Sequence, residues 1–261
     1  MADGNLQKWA LILGASSGFG AAAGLALARR GFNIAGVHLD RRSTAANADR
    51  VVSEIRKTGR RALFFNVNAS DPSRRAEVIQ ACREADTGGI RLLLHSLAFG
   101  TLKPYVADGA DRIRPADINM TLDVMAHSLV YWTQDLLDAE LLPTGSKVFA
   151  LTSAGSHRVW PSYGAVSAAK AALESHVRQL AVELAPSGIS VNALQAGVTD
   201  TPAARRIPGS DVMFARAVEY NPGKRLTQPE DVAEFLSAMA MCDSTWVTGN
   251  VIRIDGGEDL V

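Results

Sequence analysis

Short apolar runs alternate with longer amphipathic stretches along nearly the whole chain. Trp9–Leu13 reads as a buried strand, and Phe19 to Arg30 follows as a helix of small residues stopped by Gly31. Asn33 to Leu39 is a second strand, and Ala45 to Lys57 a helix closed by Gly59. Ala62 to Phe65, then a helix Pro72 to Ala85, then Arg91 to His95 continue the rhythm. One long helix is predicted from about Pro115 to Leu142, with Pro143 after it. Lys147 to Leu151, a helix Pro161 to Ala185, Ile189 to Leu194, a helix Pro229 to Met241 and Val251 to Ile254 complete the pattern. The strands are near-continuous apolar runs, which burial on both faces requires. Strands alternating with helices predict an α/β fold: a doubly wound parallel sheet of seven strands, covered on both sides.

The rhythm breaks from Val198 up to Pro229. Residues 198–228 hold Pro202, Pro208, Gly209, Pro222 and Gly223, and they follow a strand's carboxyl end. Ligands bind outside such ends, so a lid over a substrate is one reading and a plain surface insertion the other. The remainder reads as one domain spanning 1–261.

Two junctions carry candidate chemistry. At the first strand–helix junction, Gly14-Ala-Ser-Ser-Gly18-Phe-Gly20 has the spacing G-x-x-x-G-x-G. Glycines let backbone approach a pyrophosphate, and a helix start offers unpaired N–H groups and partial positive charge. Asp40 ends the second strand, where a carboxylate bonds a ribose 2′-hydroxyl and rejects a 2′-phosphate. Arg41 and Arg42 follow at once, and guanidinium forks suit that phosphate. His38 lies on the same strand face. The signals conflict; the arginines tip the reading to NADPH, with NADH open.

At the second junction, Tyr163 and Lys170 are seven residues apart. Seven steps of about 100° end roughly 20° short of two turns, so on a helix both side chains share a face. A spacing of four would put Val166 in the phenol's place, and Val166 has no proton to give.

Composition narrows the class. Lys+Arg and Asp+Glu both number 27, so bulk charge favours neither nucleic acid nor membrane surface as a partner. No apolar run reaches the roughly 18–20 residues of a membrane span, and Met1 to Lys8 lack the apolar core of a leader. Cys82 and Cys242 form no CxxC; both are expected in helices and in the core of a reduced, cytoplasmic protein. No His/Cys/Asp/Glu set has metal-ligand spacing.

The motifs together resemble the short-chain dehydrogenase/reductase family over essentially the whole length. The glycine stretch, Asn66-Val67, Ala98 with Gly100, Ser153, Lys170, Ala196-Gly197-Val198-Thr199-Asp200-Thr201 and Asp255-Gly256-Gly257 occur in the family's order. The resemblance implies a Rossmann-type sheet and a dinucleotide held by Gly14, Ser16, Ser17, Gly18, Phe19 and Gly20. It further implies contacts from His38, Asp40, Arg41, Arg42, Asn66, Val67, Ser96, Leu97 and Ala98. Lys170 would hold the nicotinamide ribose and lower the phenol pKa by its charge. Val198 would meet the carboxamide through its backbone and Thr201 the pyrophosphate, and Gly197 would also contact the cofactor. It implies a homotetramer with the 161–185 helix at an interface.

Three positions depart from most members. Val166 stands where they carry Tyr, Met125 where they carry Asn, and His95-Ser96-Leu97-Ala98-Phe99-Gly100 replaces Asn-Asn-Ala-Gly. These changes resemble the enoyl-acyl carrier protein reductases, which place Tyr seven residues before Lys. A second Tyr of one branch is replaced by Ser153, as in another branch.

Reducing a ketone needs an acid at the carbonyl oxygen. Reducing an enoyl thioester needs a hydrogen-bond donor where enolate charge develops. A phenol displaced by about one turn suits the second task. The expectation is an enoyl thioester reductase acting on acyl carrier protein or coenzyme A substrates, with Tyr163, Lys170 and Ser153 catalytic. Carbonyl reduction and a silent nucleotide-binding regulator are the alternatives; Met125 and Val166 favour the latter. His95 is read as a core or cofactor-lining histidine and His157 as a loop or site residue. Phe99, Trp160 and Phe214 line an acyl tunnel or pack in the core.

Overall fold

The computed structural model describes residues 8–85 and 87–261; most of the stretch Met1–Lys8, where no leader core is expected, falls outside them. Seven strands form one sheet: β1 (Trp9–Leu13), β2 (Asn33–His38), β3 (Ala62–Asn66), β4 (Ile90–His95), β5 (Lys147–Ser153), β6 (Ser190–Ala196) and β7 (Val251–Ile254). Their order is β3-β2-β1-β4-β5-β6-β7, and every pairing is parallel. The order reverses between β1 and β4, which opens a crevice at the strands' carboxyl ends. Register lines up that edge: Leu13 sits opposite Val37 and His95, His38 opposite Asn66, and Ser153 opposite Ala196.

The helices are α1 (Gly18–Arg29), α2 (Ala45–Lys57), α3 (Pro72–Glu84), α4 (Pro115–Leu122), α5 (Ser128–Asp138), α6 (Gly164–Leu184), α7 (Ser210–Tyr220) and α8 (Pro229–Met241). Successive β1 residues feed opposite faces, as a pleated strand dictates. Ala10 and Ile12 join Ala23 and Leu27 of α1, Ile55 of α2 and Leu236 of α8. Trp9, Leu11 and Leu13 join Val78 of α3, Trp132 of α5 and Leu173 of α6. Burying each such large side chain contributes about 1.5–3 kcal/mol. The small residues of α1 let it sit close to the sheet: a Cβ on Gly24 would lie 3.4 Å from Ile12 Cδ1. On that face α1 also packs against α8.

The long helix expected over 115–142 is divided. α4 gives way to a π-helical turn, Asp123–His127, before α5. Hydroxyls reach back one turn on either side: Thr121 Oγ1 donates to the Asp117 carbonyl and Ser128 Oγ to that of Val124, both at 2.7 Å. Such back-bonding loosens the regular ladder. α5 stops at Asp138, short of Leu142, because Glu140 adopts φ +58° and Leu141 N–H turns back to the Leu136 carbonyl. No glycine marks that stop.

The helix expected over 161–185 starts at Gly164, with Tyr163 as its cap, and α1 and α3 are shifted or shortened by a residue. The 198–228 segment contains α7, which glycine and proline had concealed. Cys82 is buried and its thiol is pushed up to about 11 by burial, whereas Cys242 is exposed at the end of α8, contrary to the expected core position. Among the described residues no helix is long and apolar enough to cross a membrane.

Candidate active site

The glycine stretch turns the chain from β1 into α1 in almost no space. A Cβ on Gly14 (φ +90°) would lie 2.3 Å from the Ser96 carbonyl oxygen, and one on Gly20 only 2.0 Å from that of Gly14. Ser17 caps α1 without a side-chain bond to the helix, and its first turn holds no acidic residue. Such an uncapped helix start presents N–H groups to an anion. Thr201 crosses from β6: its methyl lies 3.5 Å from where a Gly18 Cβ would be. Its hydroxyl accepts from Ala204 N–H at 3.1 Å. Ser16 and Phe19 are partly buried at the same turn.

At the end of β2, His38 Nδ1 lies 2.8 Å from Asp40 Oδ2. Asn66 at the end of β3 brackets the Asp40 backbone, accepting its N–H at 2.9 Å and donating to its carbonyl at 3.1 Å. Val67 N–H donates to the His38 carbonyl. Burial would raise the Asp40 carboxyl, but Thr44 and Ser16 hydroxyls and His38 hold it below the usual range. Arg41 and Arg42 are exposed beside it. Across the switch point, Ser96 N–H donates to the Leu13 carbonyl, Leu97 packs on the core and Ala98 is exposed. This crevice fits a dinucleotide: tight backbone approach, an unblocked helix start and a carboxylate with two guanidiniums at its far end.

The second junction lies at the end of β5. Lys170 is buried, and its Nζ donates to the Leu151 carbonyl at 2.6 Å. One turn on, Glu174 accepts from Thr152 Oγ1 at 2.6 Å. The two side chains dock α6 on the residues just before Ser153. Burial lowers Lys170 to about 8, with Glu174 opposing. The Tyr163 ring packs on the core, and its Cε1 and Ser153 Oγ border one point, 2.6 and 3.1 Å from where a Gly155 Cβ would stand. Ser153 Oγ is buried and makes no hydrogen bond among the described residues. It lies near enough to oppose the rise in the phenol pKa, although their geometry falls short of a hydrogen bond. That rise corrects the expected lowering: burial dominates the phenol, and Lys170 spends its ammonium on Leu151.

The departures Val166 and Met125 meet each other. A Cβ on Gly100 would lie 2.7 Å from Thr121 Cγ2, 2.9 Å from Val166 Cγ2 and 3.0 Å from Met125 Sδ. The place four residues before Lys170 is thus filled with apolar packing. His95 is wholly buried, with Nε2 2.8 Å from Ser128 Oγ. Burial first, then Lys170, lowers it to about 3, so it stays neutral and cannot serve as an acid.

Other expected residues lie apart. His157 is exposed and pairs with Asp259 at 3.0 Å. Trp160 Nε1 donates to the Pro208 carbonyl at 2.9 Å, tying the loop before Tyr163 to the 198–228 segment. Phe99 is 50% exposed and Phe214 of α7 partly buried; neither they nor Trp160 belong to the core clusters. Gly197 is buried, and Val198 N–H is taken by Glu258, 3.1 Å from both carboxylate oxygens. Glu174, Glu258 and Asp259 were missed in the sequence, where nothing separates them from surface carboxylates.

A dinucleotide crevice beside which β5 presents a hydroxyl and α6 with its cap a buried ammonium and a phenol defines a nicotinamide-dependent oxidoreductase. Residues 14–258 match the family model described as Enoyl-(Acyl carrier protein) reductase, and the chain belongs to the short-chain dehydrogenase/reductase family. It is 32% identical over 182 residues to the NADH-dependent enoyl-[acyl-carrier-protein] reductase of Aquifex aeolicus. That match spans 68% of this chain and 65% of the relative, just under two thirds of its length. It is 31% identical over the full length of both chains to a cis-4-hydroxycyclohexanecarboxylate dehydrogenase of Sinomonas cyclohexanicum. Among solved structures, a short-chain dehydrogenase of Burkholderia cenocepacia in complex with NADP superposes with a TM-score of 0.82. The two are 28% identical, with 97% of this chain and 99% of that one covered.

Proposed function

We propose that this protein reduces the carbon–carbon double bond of a trans-2-enoyl thioester carried on acyl carrier protein or coenzyme A. The observation that carries this reading is the pairing of a phenol at 163 with an apolar plug at 166. The plug of Val166, Met125 and Thr121 around Gly100 leaves no acid four residues before Lys170. The phenol one turn earlier, beside Ser153, can donate to an oxygen farther from the hydride acceptor. When bound, the dinucleotide supplies hydride to the substrate's Cβ.

The raised phenol pKa keeps Tyr163 protonated and able to donate to the thioester oxygen as charge gathers there. Ser153 Oγ, buried and without a hydrogen bond among the described residues, is available to the substrate or the carboxamide. Lys170, fixed by Leu151, presents its remaining N–H groups to the nicotinamide ribose. NADPH is our preferred cofactor: Asp40 is occupied by His38, while Arg41 and Arg42 stand exposed at the same edge. On this reading the protein is a cytoplasmic homotetramer serving fatty-acid synthesis.

Carbonyl reduction is the second reading, favoured by the full-length similarity to the Sinomonas dehydrogenase. Crotonyl and acetoacetyl thioesters, each assayed with NADPH and NADH, separate the two. Cofactor oxidation only with the keto substrate would favour the second. Tyr163→Phe should lower kcat/KM by about 10²–10³ while cofactor still binds. Unchanged turnover would sink the assignment.

A further inference from the structure

Ser153 and Tyr163 are joined by nine residues that contain only one short 3-10 turn, Ala154–Ser156. Val159 near its middle is 96% exposed. Such a stretch takes its path from contacts with the rest of the molecule. On one side Trp160 is bonded to Pro208. On the other, His157 and Arg158 converge on Asp259, which follows β7.

The Asp259 side chain is only 3% exposed. His157 Nε2 lies 3.0 Å from Oδ2, and Arg158 Nε 2.8 Å from Oδ1. Arg253 Nε of β7 stands 3.3 Å from Oδ2, and Gln195 Nε2 of β6 donates to it at 2.9 Å. Asp259's own N–H is held by Asp255 Oδ2 at 3.1 Å, and Arg158 also donates to the Val261 carbonyl. The adjacent Glu258 holds Val198 N–H. One short segment, 255–261, therefore grips both stretches that flank the candidate site.

We infer that Asp259 is a positioning residue: acting through His157 and Arg158, it holds the connection from Ser153 to Tyr163 so that hydroxyl and phenol meet one substrate oxygen. The inference rests on the reading in which those two groups act together. Burial would raise the Asp259 carboxyl, but Gln195, His157 and Arg158 hold it below the usual range, so it stays ionised wherever the enzyme works. A neutral amide there loses the charge that gathers two guanidiniums and an imidazole.

The test compares Asp259→Asn, Asp259→Glu and Arg158→Met with wild type, and with Arg74→Ala as a distant surface control. In Asp259→Asn, amides of residues 154–163 should exchange hydrogen about tenfold faster. On whichever substrate the wild type reduces, kcat should fall about tenfold with cofactor KM within about twofold, the pattern of lost alignment. Asp259→Glu should recover part of both, and Arg158→Met should show both in weaker form. Arg158→Met carries the test if Asp259→Asn fails to fold. Unchanged exchange in this stretch, or faster exchange with undiminished kcat, overturns the inference. The exchange readout needs no substrate, so a wild type inactive on every thioester overturns the functional reading alone.

Discussion

The nucleotide end and the reducing end of the crevice are built on different principles. At the nucleotide end the parts are backbone: Gly14 and Gly20 leave room for carbonyls at 2.3 and 2.0 Å from their missing Cβ atoms. At the reducing end the parts are side chains held by packing and hydrogen bonds: Tyr163 over Gly155, Lys170 on Leu151, Glu174 on Thr152. In the first region fold and binding are one property. In the second they separate, because a side chain can change its charge or donor while the strand beneath it remains.

The largest effect should come from Gly20→Ala. The added methyl meets the Gly14 carbonyl inside any tolerable contact, so β1 and α1 must part. We expect at least about 3 kcal/mol of lost stability, with cofactor binding lost in step. Thermal unfolding and cofactor fluorescence measure the two; a stable variant that has lost only binding would break the comparison.

An intermediate effect is expected from pH at the other end. On the proposed reading Lys170 holds a ribose through its ammonium, and burial lowers that group to about 8. Its ammonium is therefore present below about pH 8 and lost above it. The pH profile of kcat/KM should fall on the alkaline side from that value, about tenfold per unit. Glu174→Gln removes the charge opposing the shift and should move the limb to lower pH. An alkaline limb unmoved by Glu174→Gln would show that the two ends are less different than described.

The smallest effect should be at Arg41 and Arg42. Replacing either by Ala should raise the NADPH KM about fivefold, the ~1 kcal/mol of an exposed charge contact, and leave the NADH KM nearly unchanged. Equal changes for both cofactors would remove the arginines from cofactor choice.

The same division explains what was legible in the sequence. Strands buried on both faces announce themselves as apolar runs, and glycines forced by close backbone approach sit at readable spacings. Tyr163, Val166 and Lys170 are local to one helix, so their register could be read directly. The π turn at Asp123–His127 could not, because it depends on hydroxyls of Thr121 and Ser128 bonding backward and on His95 from another strand. The left-handed stop after α5 falls on Glu140 and lacks the glycine that normally marks one. The phenol's raised pKa follows from burial, which spacing does not encode. Asp259 was invisible because its partners are a hundred residues upstream as well as close by.

The contact between α1 and α8 has a consequence for the order of synthesis. The helix at the nucleotide end spans Gly18–Arg29, yet a partner packed beside it is encoded at Pro229–Met241. A nascent chain can pack Ala23 and Leu27 on β1 and α2 early, but α1 lacks its neighbour α8 until residues 229–241 have emerged. The glycine turn and its helix thus gain one of their supports only after α8 has been made, so the nucleotide end of the crevice cannot reach its full packing before then.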